Sequence, residues 1–123
     1  MYRQAIYQTD VKPDVDREML HGHLELLVLA VLAGGPLHVY ALRGMLDERS
    51  RHRLRAGFGR LYPLMRHLQH SGFVEGRWAP AGPVRRKRVY RLSPRGRDRL
   101  RFLSLAWDRF SAGVDAVMRH RTD

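Results

Sequence analysis

The chain has 123 residues, of which 44% are hydrophobic and 28% are charged, and its 23 Lys and Arg against 12 Asp and Glu give a formal net charge of +11. This length suits one domain, and the composition excludes both a disordered chain and a membrane protein. Because the chain contains no cysteine, it cannot form disulfides, thiolate metal sites or thiol nucleophiles, and we expect a cytoplasmic protein.

The first predicted element is a long helix that follows an N-terminal extension. Residues 1–12 show no clear period and are set apart as that extension. Pro13 and Asp14 suit a helix start, and apolar residues then recur at helical spacing until the Gly-Gly-Pro run at 34–36 ends the helix. A helix that is apolar on nearly all sides is expected to lie between the rest of its own chain and a partner chain.

Two shorter helices are predicted next. The second runs from Leu37 to about Ser50, and a basic connection joins it to the third. Proline lacks the backbone donor that an interior helical position needs, so we place Pro63 in the first turn of the third helix, which then opens near Gly59. Ser71 and Gly72 end this helix.

A hairpin and a last helix complete the predicted order. Phe73 to Trp78 and Val84 to Leu92 have strand composition, and residues 79–83 form the turn between them. Ser93 is predicted to cap the last helix, with Pro94 at its first position. The predicted fold is therefore mainly α with a small β-hairpin wing, in the order of a winged helix-turn-helix that is followed by a C-terminal dimerisation helix.

The last helix carries an apolar seam with heptad spacing, which calls for a facing helix. That helix belongs either to a second copy of the protein or to the first helix of the same chain, and we favour a dimer in which both are used. The predicted dimer interface comprises Leu24, Val28, Leu100, Leu103, Trp107, Phe110, Val114 and Val117.

Positive charge is concentrated in one region, because fifteen Lys or Arg between residues 51 and 101 face only two acidic residues. Such a region suits a polyanion, and nucleic acid is the commonest one, although a solvated basic face would have the same composition. An α-helix fits the major groove and an Arg-rich hairpin can follow phosphates or enter the minor groove. The predicted DNA-binding residues are Tyr40, Arg60, Tyr62, Arg66, His67, Arg85, Arg86, Lys87 and Arg88.

Several runs of residues resemble one protein family. They are Leu24-Glu25-Leu26-Leu27-Val28-Leu29, Gly35-Pro36-Leu37-His38-Val39-Tyr40, Leu61-Tyr62-Pro63, Ser71-Gly72-Phe73-Val74, and the stretch from Arg85 to Ser93 with Gly96 and Trp107 beyond it. With these marks the chain resembles the short subgroup of PadR-type transcriptional regulators. The resemblance implies a DNA-binding domain at 13–92, a dimerisation helix and tail at 93–123, and a homodimeric repressor that binds a roughly palindromic operator.

The resemblance also implies a small hydrophobic or aromatic effector that releases the repressor. In similar short regulators a tryptophan from each subunit faces a central cavity, so Trp107 and Phe110 are candidate ligand-binding residues, with core packing as the more ordinary role. Val39 stands where the family commonly has glycine, and Arg60 where a small polar residue is common. We therefore expect Arg60 to alter the base preference.

No other chemistry is indicated. His21 and His23 do not share a helix face, so no metal site is predicted, and neither an enzyme motif nor a cofactor motif is present. Two rival functions remain open: a module that binds nucleic acid without sequence choice, and a protein-interaction adaptor that uses the wing. Competition with random duplex separates the first rival from a specific repressor.

Overall fold

The computed structural model describes residues 17–80, 82 and 86–120. The N-terminal extension, the helix start predicted at Pro13, and Arg85 lie outside these residues. The predicted winged-helix fold is confirmed. Its elements are α1 (Arg17–Leu32), β1 (Leu37–His38), α2 (Val39–Arg49), α3 (Phe58–His70), β2 (Val74–Pro80), β3 (Arg86–Leu92) and α4 (Pro94–Arg119).

The core lies between α1, α2, α3 and one face of the sheet. Side chains from all four elements are covered there because each helix turns one apolar side inward, and burial of each large aliphatic side chain contributes about 1.5–3 kcal/mol. No helix in the described part of the chain is long and apolar enough to cross a membrane. The largest fully buried side chains are Val28, Leu29, Leu42, Leu61, Met65, Leu68 and Val74.

The sheet has three antiparallel strands in the order β1-β3-β2, whereas two were predicted. Leu37 and His38 pair with Tyr90 and Val89 of β3 instead of opening the second helix. The His38 ring explains this difference, because its Nδ1 accepts a hydrogen bond from the backbone N–H of Ala41 at 3.2 Å. His38 is extended and caps α2, so the predicted start of this helix at Leu37 was wrong by two residues.

The predicted place of Pro63 was also wrong. Helix α3 begins at Phe58, and the backbone N–H groups of Arg60 and Leu61 both bond to the carbonyl of Gly57 at 3.1 Å. Pro63 is therefore the sixth helical residue and lies in the second turn. The donor that it lacks would face the carbonyl of Gly59, and both residues are exposed, so water can replace the missing bond.

The predicted cap of the last helix is confirmed. Ser93 Oγ accepts from the N–H of Gly96 at 3.0 Å and donates to the carbonyl of Gly72, while the Ser93 N–H donates to the carbonyl of Phe73 at 3.1 Å. A Cβ on Gly96 would lie 1.9 Å from that Phe73 carbonyl oxygen. The start of α4 is thereby fixed against the turn that follows α3.

Candidate nucleic-acid interface

Helix α3 presents one continuous exposed stripe. Its apolar residues Leu61, Met65 and Leu68 are completely buried, and the opposite side follows helical spacing. No acidic residue occurs in this helix. The stripe consists of Gly59, Tyr62, Pro63, Arg66, His67 and His70.

The predicted side chains of α3 are not equally placed on this stripe. With 100° between successive residues, Arg66 lies about 30° from the centre of the exposed side and Arg60 about 90° from it. Arg60 is half-buried, whereas Tyr62, Arg66 and His67 are exposed. The structure therefore brings three of the four predicted α3 residues onto one face and leaves Arg60 at its margin.

A cleft of about 310 Å³ separates the start of α2 and α3 from the wing. Tyr40 of α2, Tyr62 of α3, and Lys87 and Arg88 of β3 line it, so four predicted residues from three elements meet there. Trp78 of β2 also lines the cleft and was not predicted to have a role. Trp78 lies opposite Arg88 in the strand register, which local sequence does not specify.

Aromatic rings connect α2 to α3 beside this cleft. The ring of Phe58 lies 4.8 Å from that of Tyr40 and 5.8 Å from that of Tyr62. The Arg43 guanidinium carbon lies 4.8 Å from the Phe58 ring centroid, and its Nε donates to the Ala56 carbonyl at 3.1 Å. Neither Phe58 nor Arg43 was predicted to take part in this surface. These contacts hold the two tyrosine hydroxyls at fixed positions on one surface.

The electrostatics of this surface favour an anion. Desolvation, followed by the neighbouring hydroxyl of Tyr40, raises the pKa of Tyr62, so its phenol stays a neutral hydrogen-bond donor. Ion pairs among the described residues involve other cations, such as Arg91 with Glu75 at 3.0 Å. Within that part of the chain, Arg66, Lys87 and Arg88 have no carboxylate in ion-pair distance.

The described residues include only part of the predicted basic run of the wing. Arg85 lies outside the described residues, and Arg86 pairs with Pro80 where β3 begins. Strand β2 continues through Ala79 and Pro80, whereas it was predicted to end at Trp78. Lys87 lies in the paired part of β3, opposite Ala79, within the range predicted for the second strand.

The predicted dimer seam is divided between two environments. Leu24 and Val28 are 2% and 0% exposed within one chain, and Leu100 and Leu103 pack partly against the same core. Leu24 and Val28 were therefore wrongly assigned to the interface, because their side chains have no surface left for a partner. The seam residues that are exposed in the single chain are Trp107, Phe110, Val114 and Val117.

Trp107 and Phe110 form an aromatic cluster with His23 of α1. The His23 ring meets the Trp107 ring edge-on, with centroids 5.0 Å apart, and lies 6.4 Å from the Phe110 ring. Trp107 and Phe110 are themselves 6.2 Å apart and are 42% and 60% exposed. Their exposed ring faces offer an apolar surface. No group of three or more metal-ligating side chains occurs among the described residues.

Comparison with known proteins gives three findings. The sequence model of the transcriptional regulator PadR-like family matches residues 28–102. An uncharacterized 37.1 kDa protein in transposon TN4556 of Streptomyces fradiae is 38% identical over 76 residues, which are 62% of this chain. The chain spans only 20% of the length of that curated relative.

Solved structures of similar proteins give the third finding. A PadR family transcriptional regulator from Eggerthella lenta is 28% identical with a TM-score of 0.71, over 85% of this chain and 86% of that one. PadR of Bacillus subtilis, solved in complex with operator DNA, is 25% identical with a TM-score of 0.61, over 65% of this chain and 45% of that one.

Proposed function

Because this chain belongs to the PadR-like family of transcriptional regulators, whose members are regulators and not enzymes, we propose that it is a cytoplasmic homodimeric repressor that binds a roughly palindromic operator. One observation carries this proposal: Tyr40 of α2, Tyr62 of α3, and Lys87 and Arg88 of β3 meet at one cleft, and no acidic side chain is among the described residues that line it. The operator-bound structure of PadR from Bacillus subtilis supports the same partner.

On this proposal α3 enters the major groove. Arg66 and His67 face base edges, and an arginine there suits the paired acceptors of guanine. Tyr40, Tyr62 and Lys87 flank the helix and contact phosphates, which orient the protein but carry little sequence information. The division of roles follows from position, because Arg66 lies near the centre of the exposed side of α3 and the other groups lie around it.

The dimer is proposed from the exposed end of α4. Phe110, Val114 and Val117 recur at heptad spacing and are 60%, 43% and 74% exposed in the single chain. A stripe of this kind is stable in water only when another helix covers it. Two copies joined along α4 would place their α3 helices in successive major grooves, about 34 Å apart.

Release by a small hydrophobic or aromatic effector is proposed at Trp107 and Phe110. A flat compound stacked between these rings and those of a second copy would change the spacing of the two α3 helices, which lowers affinity for a site of fixed half-site spacing. Replacing Trp78 by phenylalanine leaves Trp107 as the chain's single tryptophan. Titration of aromatic compounds against its fluorescence tests this proposal. The proposal fails if the compounds leave both the Trp107 fluorescence and the operator affinity unchanged.

Competition binding tests the repressor proposal. The DNA upstream of the chain's own gene serves as the first probe, because regulators of this kind often control their own promoter. A specific repressor protects a discrete palindromic footprint and prefers it by roughly 10³ or more over random duplex at physiological salt. Equal affinity for both duplexes would favour an architectural protein, and no binding at low salt would favour a protein-interaction adaptor.

A further inference from the structure

The side chain of Arg88 in the wing is held between two residues of strand β2. Arg88 of β3 lies directly opposite Trp78 of β2, and its neighbour Tyr90 lies opposite Gly76. These residues share the face of the sheet that leads from the buried Tyr90 outward to the cleft. The Trp78 ring therefore lies beside Arg88, and Gly76, which has no side chain, lies diagonally across from it on the neighbouring strand.

Gly76 provides the space in which the Arg88 side chain lies. A Cβ built on Gly76 would lie 2.7 Å from Nε and 2.9 Å from Nη2 of Arg88, closer than real Cβ atoms approach such groups. Any residue other than glycine at this position would push the guanidinium aside. Because that group is the free end of a flexible side chain, the displacement costs little stability.

Trp78 fixes the other side of the guanidinium. The Arg88 guanidinium carbon lies 5.4 Å from the Trp78 ring centroid, within the range of a cation–π contact. A cation–π contact needs no hydrogen-bond acceptor, so it does not use up the guanidinium N–H donors. No carboxylate among the described residues takes up those donors.

We propose that Gly76 and Trp78 are positioning residues that hold Arg88 ready to bind one DNA phosphate at the cleft beside Tyr62. The inference rests on the proposed DNA-binding function and assigns the wing's main phosphate contact to Arg88. An arginine that is already ordered loses less rotamer freedom on binding than a cation whose side chain must still be ordered. Trp78 acts through Arg88 and does not itself contact DNA.

Binding to a random-sequence DNA duplex tests this inference, because a phosphate contact does not depend on sequence. In the full chain, Arg88→Ala and Gly76→Ala should each weaken binding about tenfold and lower the salt dependence by about one released counterion. In the Arg88→Ala background, Gly76→Ala and Trp78→Leu should have no further effect. Gly44→Ala, a helical position with open space around it, is the matched control and should bind like the unaltered chain.

A second measurement needs no DNA. In the free protein, the NMR resonance of the Arg88 Nε–H group should be shifted by the Trp78 ring, and Trp78→Leu or Gly76→Ala should move it toward that of a free arginine. An unshifted resonance would overturn the positioning role. So would unchanged binding by Gly76→Ala, or a Trp78→Leu effect that persists without Arg88. If the unaltered chain binds no duplex, the proposed function fails, and the NMR result still decides whether Arg88 is held.

Discussion

Replacing Gly96 by alanine should destabilise the protein markedly, although alanine normally strengthens a helix. The added Cβ would lie 1.9 Å from the carbonyl oxygen of Phe73, and that oxygen also accepts from the N–H of Ser93. The start of α4 must move by more than 1 Å to relieve the contact. Overpacking of this kind costs about 1–3 kcal/mol, loss of the Ser93 cap adds about 1 kcal/mol, and the helix preference of alanine returns up to about 1 kcal/mol.

The expected net loss is therefore about 1–4 kcal/mol, which lowers the Tm by roughly 4 °C for each kcal/mol in a chain of this size. Urea unfolding at one fixed protein concentration measures it, since dimerisation would make stability depend on concentration. Gly44→Ala, in the open middle of α2, is the control and should gain up to about 1 kcal/mol. If Gly96→Ala unfolds like this control, α4 is not packed against the Phe73 carbonyl and the described junction is incorrect.

Three further predictions concern binding and assembly. Val114→Glu should yield a monomer by analytical ultracentrifugation at micromolar concentration, because it places a charge on the seam. Leu105→Glu, on the opposite side of α4, is the control and should stay dimeric. A dimeric Val114→Glu variant would show that this seam is not the dimer interface. Arg66→Ala should reduce discrimination between operator and altered sites by about 1–3 kcal/mol in competition binding, and Arg60→Ala should change it less. A larger loss of discrimination in Arg60→Ala than in Arg66→Ala would mean that Arg60 contacts the bases instead. Because the pKa of Tyr62 is raised, ionisation of this phenol should not lower operator affinity between pH 7 and 9. Tyr62→Phe should weaken operator binding by about 1 kcal/mol at both pH values. If the Tyr62→Phe variant binds the operator as tightly as the unaltered chain, Tyr62 does not contact a phosphate.

Local signals predicted the elements whose formation depends on local contacts. The Ser93 cap and Pro94 predicted the start of α4 at the correct residue, because a side-chain cap and the missing donor of proline act within one turn. The polar side of α3 and the basic β3 strand were likewise predicted from periodicity. Four of the predicted DNA-binding residues, which lie on three elements, line one cleft.

Contacts between distant parts of the chain explain what was missed. Strand β1 exists because Leu37 and His38 pair with residues more than fifty positions away, and two residues carry no strand signal of their own. The role of Trp78 depends on the register that sets it opposite Arg88. The periodicity of α1 and α4 identified apolar positions correctly but cannot distinguish burial within one chain from burial against another, and this is why Leu24 and Val28 were misassigned.

The junction at Ser93 connects the proposed dimer surface to the proposed DNA surface. Gly72 and Phe73, which follow α3 directly, accept hydrogen bonds from Ser93 at the start of α4. Arg99 of α4 also donates to Glu25 of α1 at 2.9 Å, so the start of α4 is fixed both to α1 and to the turn that follows α3. In the proposed dimer, a rotation of α4 caused by a compound at Trp107 must therefore carry α3 with it. Weakening this junction should separate the two effects, leaving effector binding intact while operator affinity no longer responds to it.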